Sequence, residues 1–233
     1  MKTISYNKRE FLVDETGFGS YWLDMEKGIW EPWTFVIFER FLRKDTIYID
    51  LGLWIGMTIL YAAKICDQCY GFEPDPVAYK TVCKNMATSG IKNAHIFNEA
   101  VFNYDGMLTL GCDSPLLGNA ITRVGESHNT FQVPCCRLET FSAREGLNGP
   151  MFIKIDVEGA EEYILKDIEF FQKRKPIVYL STHESWFINP VEAMATIKRV
   201  SMLYKHCLHQ SLWVTTVEDG ARGFGGLLFT DNL

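Results

Sequence analysis

Short apolar runs alternate with longer amphipathic stretches along most of this chain. Residues 46–51, 69–73, 94–100, 150–156 and 176–182 read as strands, and 57–66, 76–88, 159–168 and 190–206 read as helices. This rhythm is that of right-handed strand–helix–strand crossovers and predicts an α/β fold built on a doubly wound, mostly parallel sheet. Residues 1–45 precede the rhythm as a lead-in. In it Glu10-Phe-Leu-Val13 is strand-like, Gly-rich turns follow, and 32–43 form an aromatic-rich amphipathic helix that could lie across the ligand edge as a cap. Residues 101–149 interrupt the pattern with an Asp105-Gly106 turn, short strands near 107–111 and 131–137, and a Gly/Asn/Ser-rich connection. Such an insertion shapes a substrate pocket or an interface. Two apolar runs at 212–217 and 226–229, joined by a Glu-Asp-Gly turn, predict a terminal hairpin whose last strand is antiparallel to its neighbour.

The 233 residues suit one domain, with 1–45 as its cap and 46–233 as its α/β body, and 47% hydrophobic content is enough for a two-faced core. Twenty-three basic against 29 acidic residues leave a formal charge of −6 with no Lys/Arg cluster, which argues against a nucleic-acid partner. The first residues lack the apolar centre of a signal peptide and no apolar run is bilayer-length, so a soluble, cytoplasmic protein without a membrane partner is expected. Seven cysteines read as reduced thiols. Cys66-Asp-Gln-Cys69 has redox or zinc spacing but no second CxxC, and Cys135-Cys136 sits in a strand-like run as packing. His206 and His209, one turn apart near a helix end, read as complements of the dipole rather than metal ligands. No metal site is expected.

Three strand-like runs stop at a carboxylate and lead into a helix: Asp50, Glu73 and Asp156. In a parallel sheet they gather along the edge where such folds bind ligands. Carboxylates suit a cationic or hydroxyl-rich ligand, and S-adenosylmethionine is both. In Asp50-Leu-Gly-Leu-Trp-Ile-Gly56, Gly52 permits the tight turn and Gly56 close helix packing. The spacing is GxxxG, not the GxGxxG of nicotinamide-binding folds, and Asp50 would repel a pyrophosphate. Glu73 ends its strand 23 positions after Asp50, where an acid accepts from both ribose hydroxyls, and Pro74 stops the strand. Glu99, followed by Ala100, reads either as an acceptor for an adenine amine or as a solvated strand end. Lys154 shares a strand face with Asp156 and should pair with a carboxylate; that structural role is preferred over a catalytic one. Glu161 and Glu162 read as acids suited to the dipole of a helix start. His183 follows the strand at 176–182 beside Asp156, where an imidazole could take a hydroxyl proton, or could merely cap the strand.

Ile153-Lys-Ile-Asp-Val-Glu-Gly-Ala160 with a downstream Ile-Leu-Lys resembles the signature of FkbM-type methyltransferases. The resemblance extends to Gly28-Ile-Trp-Glu-Pro-Trp-Thr34, the Asp50–Gly56 turn, Phe72-Glu-Pro74, Asn98-Glu-Ala-Val101 and Thr182-His-Glu184. It implies a class I, Rossmann-like S-adenosylmethionine fold and O-methylation of a sugar, glycan or other hydroxyl-bearing metabolite. The family's turn commonly reads Asp-x-Gly-Ala-Asn-x-Gly, and Leu53-Trp54 stands here for Ala-Asn. Trp54 could narrow the methionine end of the pocket or stack on something there.

The expected assignment places Asp50 with Gly52, Trp54 and Gly56 at the methionine moiety, Glu73 and Pro74 at the ribose, and Glu99 and Ala100 at the adenine. Asp156 and His183 take the acceptor side as the catalytic pair, with Lys154 and Glu158 next to them and Glu31 and Trp33 closing the site from the cap. A nicotinamide-dependent oxidoreductase and a non-catalytic binding module are the other two readings.

Overall fold

The computed structural model describes residues 1–112, 117–118, 122–125, 127–222 and 225–233. Residues 113–116, 119–121 and 126 of the Gly/Asn/Ser-rich connection expected within the insertion lie outside them. The lead-in forms a hairpin, β1 (Lys2–Tyr6) and β2 (Arg9–Val13), then α1 (Gly19–Glu26) and α2 (Pro32–Phe41). The body continues with β3 (Ile47–Leu51), α3 (Met57–Ala62), β4 (Gln68–Phe72), α4 (Pro76–Thr88) and β5 (Ala94–Phe97). The insertion carries β6 (Ala100–Val101), β7 (Gly106–Cys112), β8 (Arg123–Val124), β9 (Asn129–Cys136) and α5 (Leu138–Arg144). Then come β10 (Met151–Ile155), α6 (Glu161–Leu165), α7 (Ile168–Arg174), β11 (Ile177–Ser181), a 3-10 turn at Glu184–Trp186, α8 (Pro190–Ser201), β12 (His206–His209), α9 (Val217–Gly220) and β13 (Gly226–Thr230).

Among the described residues the main sheet has seven strands in the order β12-β13-β11-β10-β3-β4-β5. All neighbours are parallel except the two pairs made by β13. The chain winds outward from β3 in one direction and from β10 in the other, so the switch point lies between β3 and β10, where ligands bind in such sheets. Strand alternation feeds two cores. Ile47, Ile49, Leu51, Ile153 and Ile155 face α5–α9, whereas Tyr48 and Phe152 face the lead-in with Phe35, Phe38 and Tyr61. The lead-in therefore packs directly on the body. A second sheet, β6-β9-β7-β8, stands beside the ligand edge.

Several boundaries differ from expectation. The strand expected at 94–100 ends at Phe97 because Asn98 turns the chain, its Nδ2 donating to the carbonyls of Glu73 and Pro74 at 2.9 and 3.0 Å. The helix expected at 159–168 is cut to α6, and α7 begins after Asp167, whose carboxylate is held by Arg137 at 2.8 Å. A helix, α1, occupies part of the stretch expected to be turns. The terminal hairpin is made by β12 and β13, not by 212–217. Leu208 is buried in the sheet, whereas Trp213 and Val214 are exposed, and Thr216 caps α9 by accepting from the Asp219 amide at 3.1 Å. His206 and His209 consequently lie on a strand, where an i,i+3 pair faces opposite sides, and their expected one-turn spacing on a helix is corrected. All seven cysteines are free thiols, five of them buried. No helix of the described residues is long and apolar enough to cross a membrane.

Candidate active site

The turn after β3 is forced into shape by its glycines. Gly52 has φ +93°, and a Cβ there would sit 1.9 Å from the carbonyl oxygen of Asp156. No side chain fits at this crossing of β3 and β10. Gly56 has φ +90° and leaves room for Val82 of α4, whose Cγ2 would lie 2.4 Å from an added Cβ. Between them Trp54 also has positive φ, +48°. Glu31 (+39°) and Glu158 (+55°) share this uncommon backbone state, and all three line one cavity at the sheet edge. Backbone strain of this kind collects at functional sites.

The cavity is walled by apolar groups, among them Leu51, Met57, Phe72, Val101, Phe102 and Leu108, with Pro74 and Ala100 on the same lining. Glu73 faces it from the end of β4. Its Oε2 accepts the Trp54 amide at 2.6 Å, its Oε1 accepts the Asp75 amide at 2.9 Å, and burial pushes its carboxyl up to about 8. Trp54 joins the covers of the cavity. Its ring meets Tyr21 and Phe18 of the lead-in edge-on, at 4.6 and 5.5 Å, and its Nε1 donates to the Gly118 carbonyl of the insertion at 3.1 Å.

Asp50 stands elsewhere than expected: it does not line the cavity. It lies on the face packed against the lead-in, fully buried, with Oδ2 accepting from the Tyr48 and Thr58 hydroxyls at 2.7 and 2.6 Å. Its Oδ1 has no hydrogen-bond partner, and burial raises its pKa. Thr58 intervenes between it and the cavity. Glu99 is also absent from the lining. Its carboxylate is held by Arg144 at 3.0 Å, because the turn at Asn98 leaves it on the α5 side. Trp33 is 44% exposed and lines a separate groove with Tyr179 and His183, whereas Glu31 reaches both spaces.

The acceptor side is a cluster of charge. Lys154, 2% exposed, donates to Asp156 Oδ2 at 2.6 Å. Burial alone would depress its pKa, but Asp156, Glu31 and Asp50 hold it well above its ordinary value. Burial likewise opposes ionisation of Asp156, yet Lys154 and His183 bring its pKa below the usual range. His183 Nδ1 lies 2.5 Å from Glu161 Oε1, and Nε2 lies 3.3 Å from Glu158 Oε2 and 3.6 Å from Asp156 Oδ1. The ring stacks on Trp186 with centroids 5.1 Å apart. Burial pulls the imidazole pKa down, but the three carboxylates outweigh it and raise it to about 9. The three carboxylates thus favour the protonated ring, a setting that works against the base role expected for it. Glu158 is raised to about 7, chiefly by burial.

Glu161 was expected only to complement a helix dipole, but it is fully buried and orients His183. The acid-rich run Asp156-Val-Glu-Gly-Ala-Glu-Glu162 was its only signal. Tyr21, Trp30 and Thr58, also in the lining, carried no sequence signal that singled them out.

Comparison with known proteins decides the family. Residues 54–207, about two thirds of the chain, match the methyltransferase FkbM domain. The chain belongs to this family. The α/β fold with its seven-stranded, mostly parallel sheet agrees with the doubly wound sheet expected from the sequence. The uncharacterized protein MJ1452 of Methanocaldococcus jannaschii is 23% identical over 156 residues, 60% of each chain, so this chain spans less than two thirds of that curated relative's length. Among solved structures, an rRNA methylase from Streptococcus thermophilus is similar at 12% identity and TM-score 0.48, covering 83% of this chain and 89% of its own. An O-methyltransferase from Bacillus cereus, solved with S-adenosylhomocysteine, is similar at 12% identity and TM-score 0.45, covering 84% and 76%.

Proposed function

We propose that this FkbM-family chain transfers a methyl group from S-adenosylmethionine to a hydroxyl of a sugar, glycan or small metabolite. The position of Glu73 carries the reading: a carboxylate ends β4 beside the Gly52–Gly56 turn and lines the cavity at the switch point, where ribose hydroxyls find an acceptor. The apolar wall around Phe72 and Val101 suits an adenine ring, and the negative cluster suits a sulfonium. The cofactor supplies an activated methyl carbon.

The chain's own residues would position the acceptor and receive its proton. With the cofactor bound, Asp156 and Glu158 would hold the acceptor oxygen, and the methyl group would come from S-adenosylmethionine, which would leave as S-adenosylhomocysteine. The hydroxyl proton would pass to a carboxylate of this pair, since the carboxylates around His183 favour its protonated form. Holding the two reactants in line contributes up to about 7–11 kcal/mol of barrier lowering. The proton acceptor adds roughly 100- to 10,000-fold. Glu31 and Trp54 bring the lead-in over the site and exclude water.

Calorimetric titration with S-adenosylhomocysteine tests the reading, with one site per chain expected. Labelled S-adenosylmethionine incubated with sugars and hydroxylated metabolites then identifies the acceptor. A folded protein that binds NAD but not S-adenosylhomocysteine would overturn the proposal.

A further inference from the structure

We propose that Asp156, Glu158 and His183 form a divalent-cation site on the acceptor side of the cavity. Each offers one ligand atom, and the three atoms lie within 4.8 Å of one another. Nε2 of His183 is 3.3 Å from Glu158 Oε2 and 3.6 Å from Asp156 Oδ1. A six-coordinate ion with bonds of about 2.1 Å sets adjacent ligand atoms about 3.0 Å apart. The two contacts of Nε2 are within a few tenths of an ångström of that spacing.

The surroundings are those of a prepared ligand set. Metal-bound histidines characteristically use their second ring nitrogen on a carboxylate, which fixes the ring. Here the fully buried Glu161 takes Nδ1 at 2.5 Å and aims Nε2 at the two acids. Lys154 holds Oδ2 of Asp156 and Ser181 also bonds this carboxylate, while Oδ1 lies toward His183 at 3.6 Å. Glu158 Oε2 is buried and accepts no hydrogen bond.

Two carboxylates and one imidazole, which gives up its Nε2 proton when an ion takes that nitrogen, suit a harder ion of the magnesium and manganese class. Three protein ligands leave three positions for water or for an acceptor oxygen. The ion would fix that oxygen next to the methyl donor and stabilise its developing negative charge. This use of the ion rests on the methyl-transfer reading; the site itself does not.

Electron paramagnetic resonance of Mn²⁺ titrated into the full chain tests the site, with S-adenosylhomocysteine calorimetry run beside it. One Mn²⁺ per chain is expected, displaced by excess Mg²⁺. Glu158→Gln should weaken binding at least tenfold, and Glu161→Gln by roughly 10- to 100-fold through loss of ring orientation. Both variants should keep the far-ultraviolet circular dichroism and the cooperative unfolding of the wild type, which reports that they are folded. A wild-type protein that binds no Mn²⁺, or binds it no better than Glu158→Gln, overturns the site, and the cluster is then an imidazolium held by its carboxylates. Mn²⁺ binding without S-adenosylhomocysteine binding would keep the site and remove its assignment to methyl transfer.

Discussion

The backbone amide of Trp54 donates to Oε2 of Glu73 over 2.6 Å, so one carboxylate fixes the turn after β3 and faces the cavity from the end of β4. Two strands already paired along their length are thereby also locked beyond their ends, at the point where a cofactor would lie across them. Glu73→Ala removes both the acceptor for ribose hydroxyls and the pin on the turn. S-adenosylhomocysteine affinity should fall by about 100-fold, the scale of a lost pair of hydrogen bonds. Calorimetry on the folded variant checks this, and unchanged affinity would take Glu73 out of the site.

The same residue makes stability depend on pH. Its carboxyl titrates at about 8 in the folded chain against an ordinary value of 4.5, because burial disfavours the anion. The folded state therefore holds the proton more tightly than the unfolded one. The resulting stabilisation is complete below about 4.5 and is lost as pH rises through about 8. Thermal unfolding of the ligand-free protein should show a midpoint that falls over this window. In Glu73→Gln, which cannot ionise, that part of the slope should flatten; an identical slope would assign the effect to other groups.

Gly52→Ala should be far more damaging than a single methyl suggests. Its Cβ would meet the Asp156 carbonyl oxygen at 1.9 Å in a backbone state of φ +93°. Neither partner is the flexible end of a side chain. Separating β3 from β10 at the switch point should cost more than about 4 kcal/mol, the range reserved for a named structural break. Chemical denaturation measures it, and a loss below about 1 kcal/mol would mean that the crossing is looser than described.

Where the sequence pattern carried local information, it located structure well. Alternation placed Lys154 with Asp156 on one face of β10, and a buried ammonium required the carboxylate found 2.6 Å away. Other features depended on long-range packing. Asp50 and Glu73 look equivalent as strand ends, yet register sets Asp50 opposite Lys154 and beneath the lead-in, whereas Glu73 meets the cavity. Glu161 followed the ordinary preference for acids at a helix start, which concealed its bond to a histidine 22 residues away. The apolar run at 212–217 has strand-like residues but lost the place beside β13 to His206–His209, which reach it directly after α8, and keeps only a bridge from Val214 to Leu208.

Lys154→Met tests the buried charge network. The substitution keeps much of the side-chain volume but leaves Asp156, with Asp50 and Glu31 nearby, without its nearest cation. Removing one partner of a buried pair typically costs about 3–5 kcal/mol. The loss should be largest at neutral and alkaline pH, where the carboxylates would be charged, and should shrink in acid as they take up protons. Denaturation at two pH values separates this from a packing defect, whose cost would be the same at both.

Trp54 stands where the family commonly has asparagine, and its environment shows what the larger ring does. It bears on Tyr21 and Phe18 and donates to Gly118, so it ties lead-in and insertion together over the cavity. Trp54→Asn places a residue that tolerates φ +48° better, which offsets part of the lost ring contacts. Aromatic pairs contribute about 0.5–1.5 kcal/mol each beyond area burial. A net destabilisation of about 1–2 kcal/mol is therefore expected, together with faster proteolysis of the loosened lead-in in the ligand-free protein. S-adenosylhomocysteine affinity should be kept or improved, because the Trp54 amide that meets Glu73 belongs to the backbone and survives the change. A folded Trp54→Asn variant that no longer binds the ligand would show that the ring itself forms part of the cofactor's seat.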